Sequence, residues 1–279
     1  MTHPRLVVFS DLDGTLLDHH SYDHAPAQPA LDALRARRIP LVLVTSKTRA
    51  ELLVLRERLG HRGPFIVENG GAIVIPEGAL DDRDEGEPVD GGRFLVRGTP
   101  YRRVREVLER LRAQLAVDLE GFGDVSDAEV AAWTGLPLED AARARARETS
   151  EPFRFHGDDA ALARLREGLA AEGLTLTRGG RFHSAQGEVD KGAAVRYLLQ
   201  RYRHAHASGT VTSVALGDSD NDLPMLRAVD IPIAIPPASG RAPLALDHPR
   251  RVVAAQAGPA GFREGIEAVL AQWEAGALD

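Results

Sequence analysis

Leu6-Val7-Val8-Phe9-Ser10 running into Asp11-Leu12-Asp13-Gly14-Thr15 is the stretch on which the fold turns. An apolar run of this length reads as a strand buried in a parallel sheet. Two carboxylates follow where that strand ends, and Gly14 allows a sharp turn. Ligands of open α/β sheets bind at the carboxyl ends of the strands. Paired aspartates there can hold a hard cation, and one of them can attack an electrophile. A solvated Asx-turn uses the same residues, so the segment alone leaves both readings open.

At 279 residues the chain is long enough for two domains or one large one. A hydrophobic content of 43% with 27% charged residues is that of an ordinary globular protein. The net charge of −7 argues against a nucleic-acid surface and against an anionic membrane. There is no apolar stretch of about 18 residues, and no basic start followed by an apolar core. A cytoplasmic protein without nucleic-acid or membrane partners is therefore expected. The absence of cysteine excludes disulfides, zinc-thiolate sites and thiol nucleophiles, so any metal must be held by oxygen or imidazole. Of the 34 basic residues only Lys47 and Lys191 are lysine. Coding bias or a thermophilic source accounts for the composition. The two survivors then mark positions where a guanidinium cannot replace a compact ammonium.

Strand-like runs at 5–10, 41–45 and 64–67 alternate with amphipathic stretches around 27–38 and 48–59, the βαβ rhythm of a parallel sheet. Ile73-Val74-Ile75, after Gly70-Gly71, reads as a hairpin return strand. Residues 80–92 turn acidic and bear Gly and Pro, as a linker would. The middle carries strand candidates at 93–97, 152–156, 173–178 and 181–184. Helices near 100–115, 126–133, 137–147 and 158–171 separate them, the pattern of a small α+β unit with an antiparallel sheet. The βαβ rhythm resumes with a helix at 191–203, a strand at 211–216, a helix at 221–228 and strands at 231–235 and 251–254. A final helix covers 261–275. The expectation is an α/β fold: a Rossmann-like parallel-sheet core from 1–82 and 187–279, interrupted by an inserted α+β domain at 83–186.

A second acidic cluster, Gly217-Asp218-Ser219-Asp220-Asn221-Asp222, directly follows the strand Thr212–Leu216. Its alternating aspartates suggest a calcium-binding EF-hand loop, but Leu223 stands where that loop needs glycine and Val229 where it needs glutamate. A strand-end site for Mg²⁺ is the better reading; an exposed acidic turn is the alternative. Thr45 closes the strand ending at Val44 and is followed by Ser46 and Lys47. A hydroxyl and free amides ahead of a helix suit a phosphate oxygen. Thr45 or Ser46 could equally be a plain helix cap. Lys191 opens another helix, where a cation opposes the macrodipole, and that mild penalty favours a functional role.

In order along the chain stand Asp11-x-Asp13-Gly14-Thr15, the strand-end Thr45, Lys191 and Gly217-Asp218-Ser219-x-Asn221-Asp222. This set resembles the four motifs of the haloacid dehalogenase superfamily of phosphohydrolases. The large insert resembles the type 2 cap of its sugar-phosphate phosphatases. The resemblance covers the parallel-sheet core and implies Asp11 as a nucleophile forming an aspartyl-phosphate. Asp13 would then serve as acid and afterwards as base. The resemblance also implies Mg²⁺ held by Asp11, the backbone carbonyl of Asp13 and Asp218, with Asp222 a further ligand or anchor. Thr45 and Ser46 would hold phosphoryl oxygens, Lys191 would balance charge, and Asn221 would orient a loop or Asp13.

Three further segments bear on the leaving group: Glu68-Asn69-Gly70-Gly71, Arg147-Glu148-Thr149-Ser150-Glu151-Pro152-Phe153 and Arg181-Phe182-His183-Ser184. With Thr45-Ser46-Lys47-Thr48 they resemble the mannosyl-3-phosphoglycerate phosphatase family. The implied substrate offers a phosphate, a glycerate carboxylate and a neutral hexose. Arg147, Arg181 and Lys47 are candidates for the carboxylate or spare phosphate oxygens. Asn69, Glu151 and Ser184 are candidates for sugar hydroxyls, with Gly70 and Ser150 beside them in the same motifs. His156 and the group His19, His20 and His24 read as surface or packing residues. The alternatives are another sugar-phosphate phosphatase acting on sucrose-, trehalose- or hexose-phosphate, a phosphomannomutase, and a non-catalytic binding relative. Linkers at 80–92 and 185–190 are the expected hinges; monomer and homodimer both stay open.

Overall fold

The computed structural model describes residues 5–19, 21–80, 85–179, 181–205, 210–240 and 242–278. The acidic stretch 81–84, with the expected boundary inside it, and His20 lie outside the described residues. In chain order come β1 (Arg5–Ser10), α1 (Gln28–Ala36), β2 (Leu41–Val44), α2 (Arg49–Leu59), β3 (Phe65–Val67), β4 (Ala72–Pro76), β5 (Glu87–Val89) and β6 (Gly92–Val96). Then follow α3 (Tyr101–Leu115), β7 (Leu119–Gly121), α4 (Asp127–Thr134), α5 (Leu138–Arg145), β8 (Ser150–Phe155), α6 (Asp159–Ala171), β9 (Leu174–Gly179) and β10 (Phe182–Gly187). The last part holds α7 (Lys191–Ala205), β11 (Val211–Gly217), α8 (Leu223–Leu226), β12 (Ile231–Ala234), β13 (Val252–Val253) and α9 (Gly258–Glu274).

β1 lies between β2 and β11, with parallel neighbours on both sides. That explains why its inner five residues are all buried. Alternation sorts them into two layers. Leu6 and Val8 pack with Leu31, Leu52 and Phe262 on one face of the sheet. Val7 and Phe9 pack with Val195, Leu198 and Met225 on the other. The chain runs from β1 outward through β2 and β3, then returns on the far side through β11, β12 and β13. The reversal of strand order at β1 opens a crevice at the carboxyl ends of β2, β1 and β11, where open α/β sheets bind ligands.

The parallel strands continue into an antiparallel extension, giving a nine-stranded sheet in the order β13-β12-β11-β1-β2-β3-β4-β6-β5. Here the sequence reading needs correction. Residues 93–97 were expected to begin the sheet of the insert, and 80–92 to be a linker. Instead Gly92–Val96 pairs antiparallel with β4, and Glu87–Val89 pairs with it in turn. A short strand beside an existing edge satisfies its backbone groups there, and no local pattern reveals which edge it joins.

The insert has its own antiparallel sheet, β7-β8-β10-β9. Val104 and Leu108 of α3 and Leu165 of α6 cover one face of it, around Phe153. β7 is a strand that the sequence reading missed; at three residues it lacks enough alternation to register. α4 and α5 form a separate apolar cluster with Phe122, Val130, Ala141 and Ala144. Among the described residues no helix is long and apolar enough to cross a membrane.

Candidate active site

Asp11 follows the last residue of β1, and its backbone N–H donates to Leu216 O on β11 (3.0 Å). The next turn is closed by Leu17 N–H donating to Leu12 O (2.7 Å). Gly14 carries φ +84, and a Cβ there would stand 2.5 Å from Asp218 Oδ2. Glycine is thus what lets the first acidic turn approach the second, 203 residues away in sequence at the Thr15 to Asp218 hydrogen bond (3.4 Å).

Lys191 is 1% exposed, and its ammonium lies 2.6 Å from Asp11 Oδ1 and 2.6 Å from Asp222 Oδ1. Burial alone would lower its pKa; Asp11 and Asp222 outweigh burial and raise it. The helix-start penalty foreseen from the sequence is offset by those two carboxylates. Asp222, fully buried, spends its other oxygen on the backbone N–H groups of Asp218 (3.1 Å) and Ser219 (3.0 Å). It therefore anchors the loop and the lysine.

Asp11, Asp218 and Asp222 each bring a carboxylate oxygen into a group whose members lie within 4.8 Å of one another. Burial first, and then the charge of Asp222, push Asp218 up to about 7. The same two causes raise Asp11 well above the usual carboxylate range, with Lys191 opposing them. Three carboxylates, two of them buried, beside one ammonium leave an excess of negative charge, and the donors are all hard oxygens. That donor set fits a divalent oxygen-loving cation, which would favour the ionised forms.

Asp13 stands apart from that group. Its Oδ2 pairs with Lys47 Nζ at 2.9 Å, while its Oδ1 is buried without a hydrogen-bond partner. The role expected of Asp13 at the cation is through its backbone carbonyl, and its carboxylate lies outside the group formed by Asp11, Asp218 and Asp222. Lys47, expected on substrate oxygens, lines a cavity together with Lys191, and its ammonium also holds Asp13 and lies over the Tyr22 ring (4.7 Å). Burial opposes the charge on Lys47, but Asp13 overrides it and raises the ammonium pKa.

Thr48, rather than Thr45 or Ser46, caps α2, in a reciprocal pairing with Glu51. Thr45 and Ser46 are thereby free of capping, although Thr45 Oγ1 accepts the Lys47 N–H (3.1 Å). The Glu68–Gly71 segment joins several parts. Glu68 N–H donates to Lys47 O and Asn69 N–H to Thr45 O, both at 3.0 Å. Asn69 Oδ1 accepts from Asn221 Nδ2 (3.1 Å), so Asn221 orients this loop. Gly70, at φ +100, presses on the Asp190 carbonyl, where a Cβ would come within 2.2 Å; its role is close packing.

A cavity of about 540 Å³ extends from Lys191 into the insert. Ser46, Asn69, Arg147, Ser150, Arg181 and Ser184 line it, as the sequence suggested. Several are already engaged. Ser150 Oγ donates to Glu68 Oε2 (2.6 Å), Arg147 donates to Ser46 O (2.9 Å), and Arg181 donates to Thr134 O (2.8 Å). Glu151 is the clear miss. It is fully buried inside the insert, where it accepts from Tyr101 Oη (2.8 Å), Arg105 (2.9 Å) and Gly123 N–H (2.8 Å). Strand alternation turns it to the opposite face from Ser150 and Pro152. Residues that the sequence did not single out also line the cavity, among them Tyr22, Thr177 and Gln186. Gln186 could have been found by stepping two residues along the strand from Ser184.

A buried aspartate held by lysine and a cluster of carboxylate oxygens that could hold a cation thus stand at the switch point of an α/β sheet. The chain belongs to the haloacid dehalogenase-like hydrolases, whose family pattern matches residues 8–84 and 154–251. It is 44% identical over 237 residues to a glucosyl-3-phosphoglycerate/mannosyl-3-phosphoglycerate phosphatase of Methanococcoides burtonii, covering 84% of this chain and 86% of that one. A protein of the same name from Persephonella marina is 36% identical, covering 97% and 99%. The fold is similar to that of a haloalkanoate-superfamily phosphatase from Bacteroides thetaiotaomicron (TM-score 0.65, 18% identity, 98% and 96% covered). It is also similar to the sucrose-phosphatase of Synechocystis in complex with sucrose and phosphate (TM-score 0.59, 16% identity, 95% and 98% covered).

Proposed function

We propose that this protein hydrolyses mannosyl-3-phosphoglycerate to mannosylglycerate and phosphate. The substrate reading rests on the two relatives so named, which match this chain over most of its length. The reaction reading rests on one set of contacts: Asp11 fixed by Lys191, and Asp13, two residues on, held by Lys47 through one oxygen and unpaired at the other.

Asp11 attacks phosphorus through the carboxylate oxygen not held by Lys191, and the alcohol leaves as an aspartyl-phosphate forms. Asp13, oriented by Lys47 through one oxygen, gives a proton to the leaving oxygen through the other. It then takes one from the water that hydrolyses the intermediate. Thr45 and Ser46 hold phosphoryl oxygens, and Lys191 offsets the charge that meets Asp11. Mg²⁺ held by Asp11, Asp218 and the backbone carbonyl of Asp13 would supply electrostatic stabilisation to the phosphoryl group. The insert is the lid over the cavity, with hinges at 97–100 and 188–190, because β5 and β6 belong to the large sheet. Arg147 and Arg181 meet the glycerate carboxylate, and Asn69 and Ser184 meet sugar hydroxyls.

Phosphate release from a panel of sugar phosphates, with and without Mg²⁺, tests the reading. Mannosyl- and glucosyl-3-phosphoglycerate should exceed sucrose-, trehalose- and hexose-phosphates in kcat/KM. A preference for any of the latter would overturn the substrate, and product sugar phosphate without free phosphate would indicate a mutase.

A further inference from the structure

Register fixes which side chains of the insert's sheet meet the cavity. Ser184 pairs with Thr177 on one side and Pro152 on the other; Gln186 pairs with Thr175 and Ser150. Paired residues share a face, so Ser150, Pro152, Thr177, Ser184 and Gln186 look the same way and line the cavity together. Much of the hydrogen-bonding capacity on this face is spent within the protein. Ser150 Oγ donates to Glu68 (2.6 Å), Thr177 Oγ1 to Ser184 O (3.4 Å), and Thr175 Oγ1 to Gly187 O (3.2 Å).

Gln186 differs. It is 2% exposed, its Nε2 donates to Val189 O at 3.1 Å, and its Oε1 has no partner. The two ends of the amide are not interchangeable. A backbone carbonyl only accepts, so the nitrogen must face Val189 and the oxygen is left over. A buried amide oxygen without a donor costs free energy that a bound donor recovers. Such an acceptor takes O–H or N–H groups and repels carboxylate and phosphate oxygens. His183 also lines the cavity and its Nδ1 is also without a partner, but its ring is held on the other face of the strand by stacking on Phe153 (5.8 Å).

We infer that Gln186 is a specificity-determining residue whose Oε1 accepts a hydrogen bond from a hydroxyl of the leaving group. The cavity thereby favours phosphomonoesters of neutral, polyhydroxylated sugars over esters that present only anionic or apolar groups at that position. This assignment rests on the phosphomonoesterase reading above and deepens it.

Gln186→Met keeps the length of the side chain and removes the acceptor. The kcat/KM for the best sugar phosphate of the panel should fall about tenfold to a hundredfold. Turnover of p-nitrophenyl phosphate, which offers no hydroxyl, should stay within about twofold. Equal losses on both substrates would mark a packing role and overturn the inference, as would no loss on either. The second arm uses singly deoxygenated analogues of the same sugar phosphate. One of them should lose activity with the unmodified chain and lose nothing further with Gln186→Met. If Gln186→Met does not fold, the analogues alone decide, and a series with no loss beyond about twofold refutes the assignment. If the unmodified chain cleaves p-nitrophenyl phosphate but no sugar phosphate, the inference falls while the phosphomonoesterase reading stands. If it cleaves neither, that reading falls first.

Discussion

Asp11 and Lys191 stand 180 residues apart in sequence and 2.6 Å apart in space, without solvent between them. Removing either leaves a different defect. Asp11→Asn keeps shape and hydrogen bonding but loses the nucleophile, so it should fold normally and lose turnover by about a thousandfold or more. Phosphate release beside a thermal melt checks both halves, and substantial remaining turnover would overturn the nucleophile assignment. Lys191→Met strands two buried carboxylates without a counter-charge. It should cost about 3–5 kcal/mol in urea unfolding. Lys191→Arg should not rescue it, because a fully buried side chain leaves no room for the wider guanidinium. That buried position gives the physical reason for one of the two surviving lysines. Lys47, about a sixth exposed in its side chain, has the other reason: a single short contact to Asp13.

At the scale of elements, one junction ties the loop after β3 to the insert and another closes the amino-terminal end of β2. Glu68 is 1% exposed, in the left-handed region at φ 49, and its carboxylate accepts the N–H groups of Glu148 (2.8 Å) and Thr149 (3.0 Å). The Thr149 and Ser150 hydroxyls donate to it as well, at 3.2 and 2.6 Å. This carboxylate ties the loop after β3 to the residues that lead into β8 and to its first residue, Ser150. Glu68→Ala should lower unfolding free energy by about 3 kcal/mol, since buried donors are left unmet; a change below about 1 kcal/mol would show water replacing them. The second junction is His61, just past α2. Its Nε2 lies 2.8 Å from Leu41 O and its Nδ1 accepts from Arg56 Nε (3.2 Å). Burial holds its pKa down to about 4, against an ordinary 6.5. Above pH 6.5 both folded and unfolded chains hold it neutral. As pH falls from 6.5 to about 4, the unfolded chain takes a proton that the folded chain refuses. Stability is lost across that window, by at most about 3 kcal/mol. Melts of His61→Gln, which offers the same donor and acceptor, should show a shallower loss than the parent between those pH values; parallel curves would refute the claim.

At the scale of the whole molecule, a cation at the acidic cluster would join what the chain order keeps apart. Asp11 lies at the end of β1 and Asp218 at the end of β11, and burial makes their shared negative charge unfavourable. A divalent ion that binds only the folded arrangement stabilises it by mass action, about 2.7 kcal/mol at a hundred times its dissociation constant. Mg²⁺ should therefore raise the melting temperature of the chelator-treated protein, and Asp218→Asn should abolish the rise. An undiminished rise in that variant would move the cation elsewhere.

The sequence alone determined the α/β class, the acidic strand ends and the presence of an insert. Each is written in a local pattern: an apolar run that must be buried, and polar residues where the run stops. It did not determine where the insert begins, because β5 and β6 join the large sheet through pairing with a strand that offered a free edge. Nor did it determine which polar side chains are free. Glu151 and Gln186 are both polar strand residues, yet one is consumed inside the insert and the other lines the cavity with an acceptor left unpaired. Lys47 lines the cavity and also pairs with Asp13, a second partner that its place in the sequence does not reveal. Strand parity, register and the partner across the fold are long-range properties. The sequence supplies the groups, and only the tertiary contacts decide which of them remain to meet a ligand.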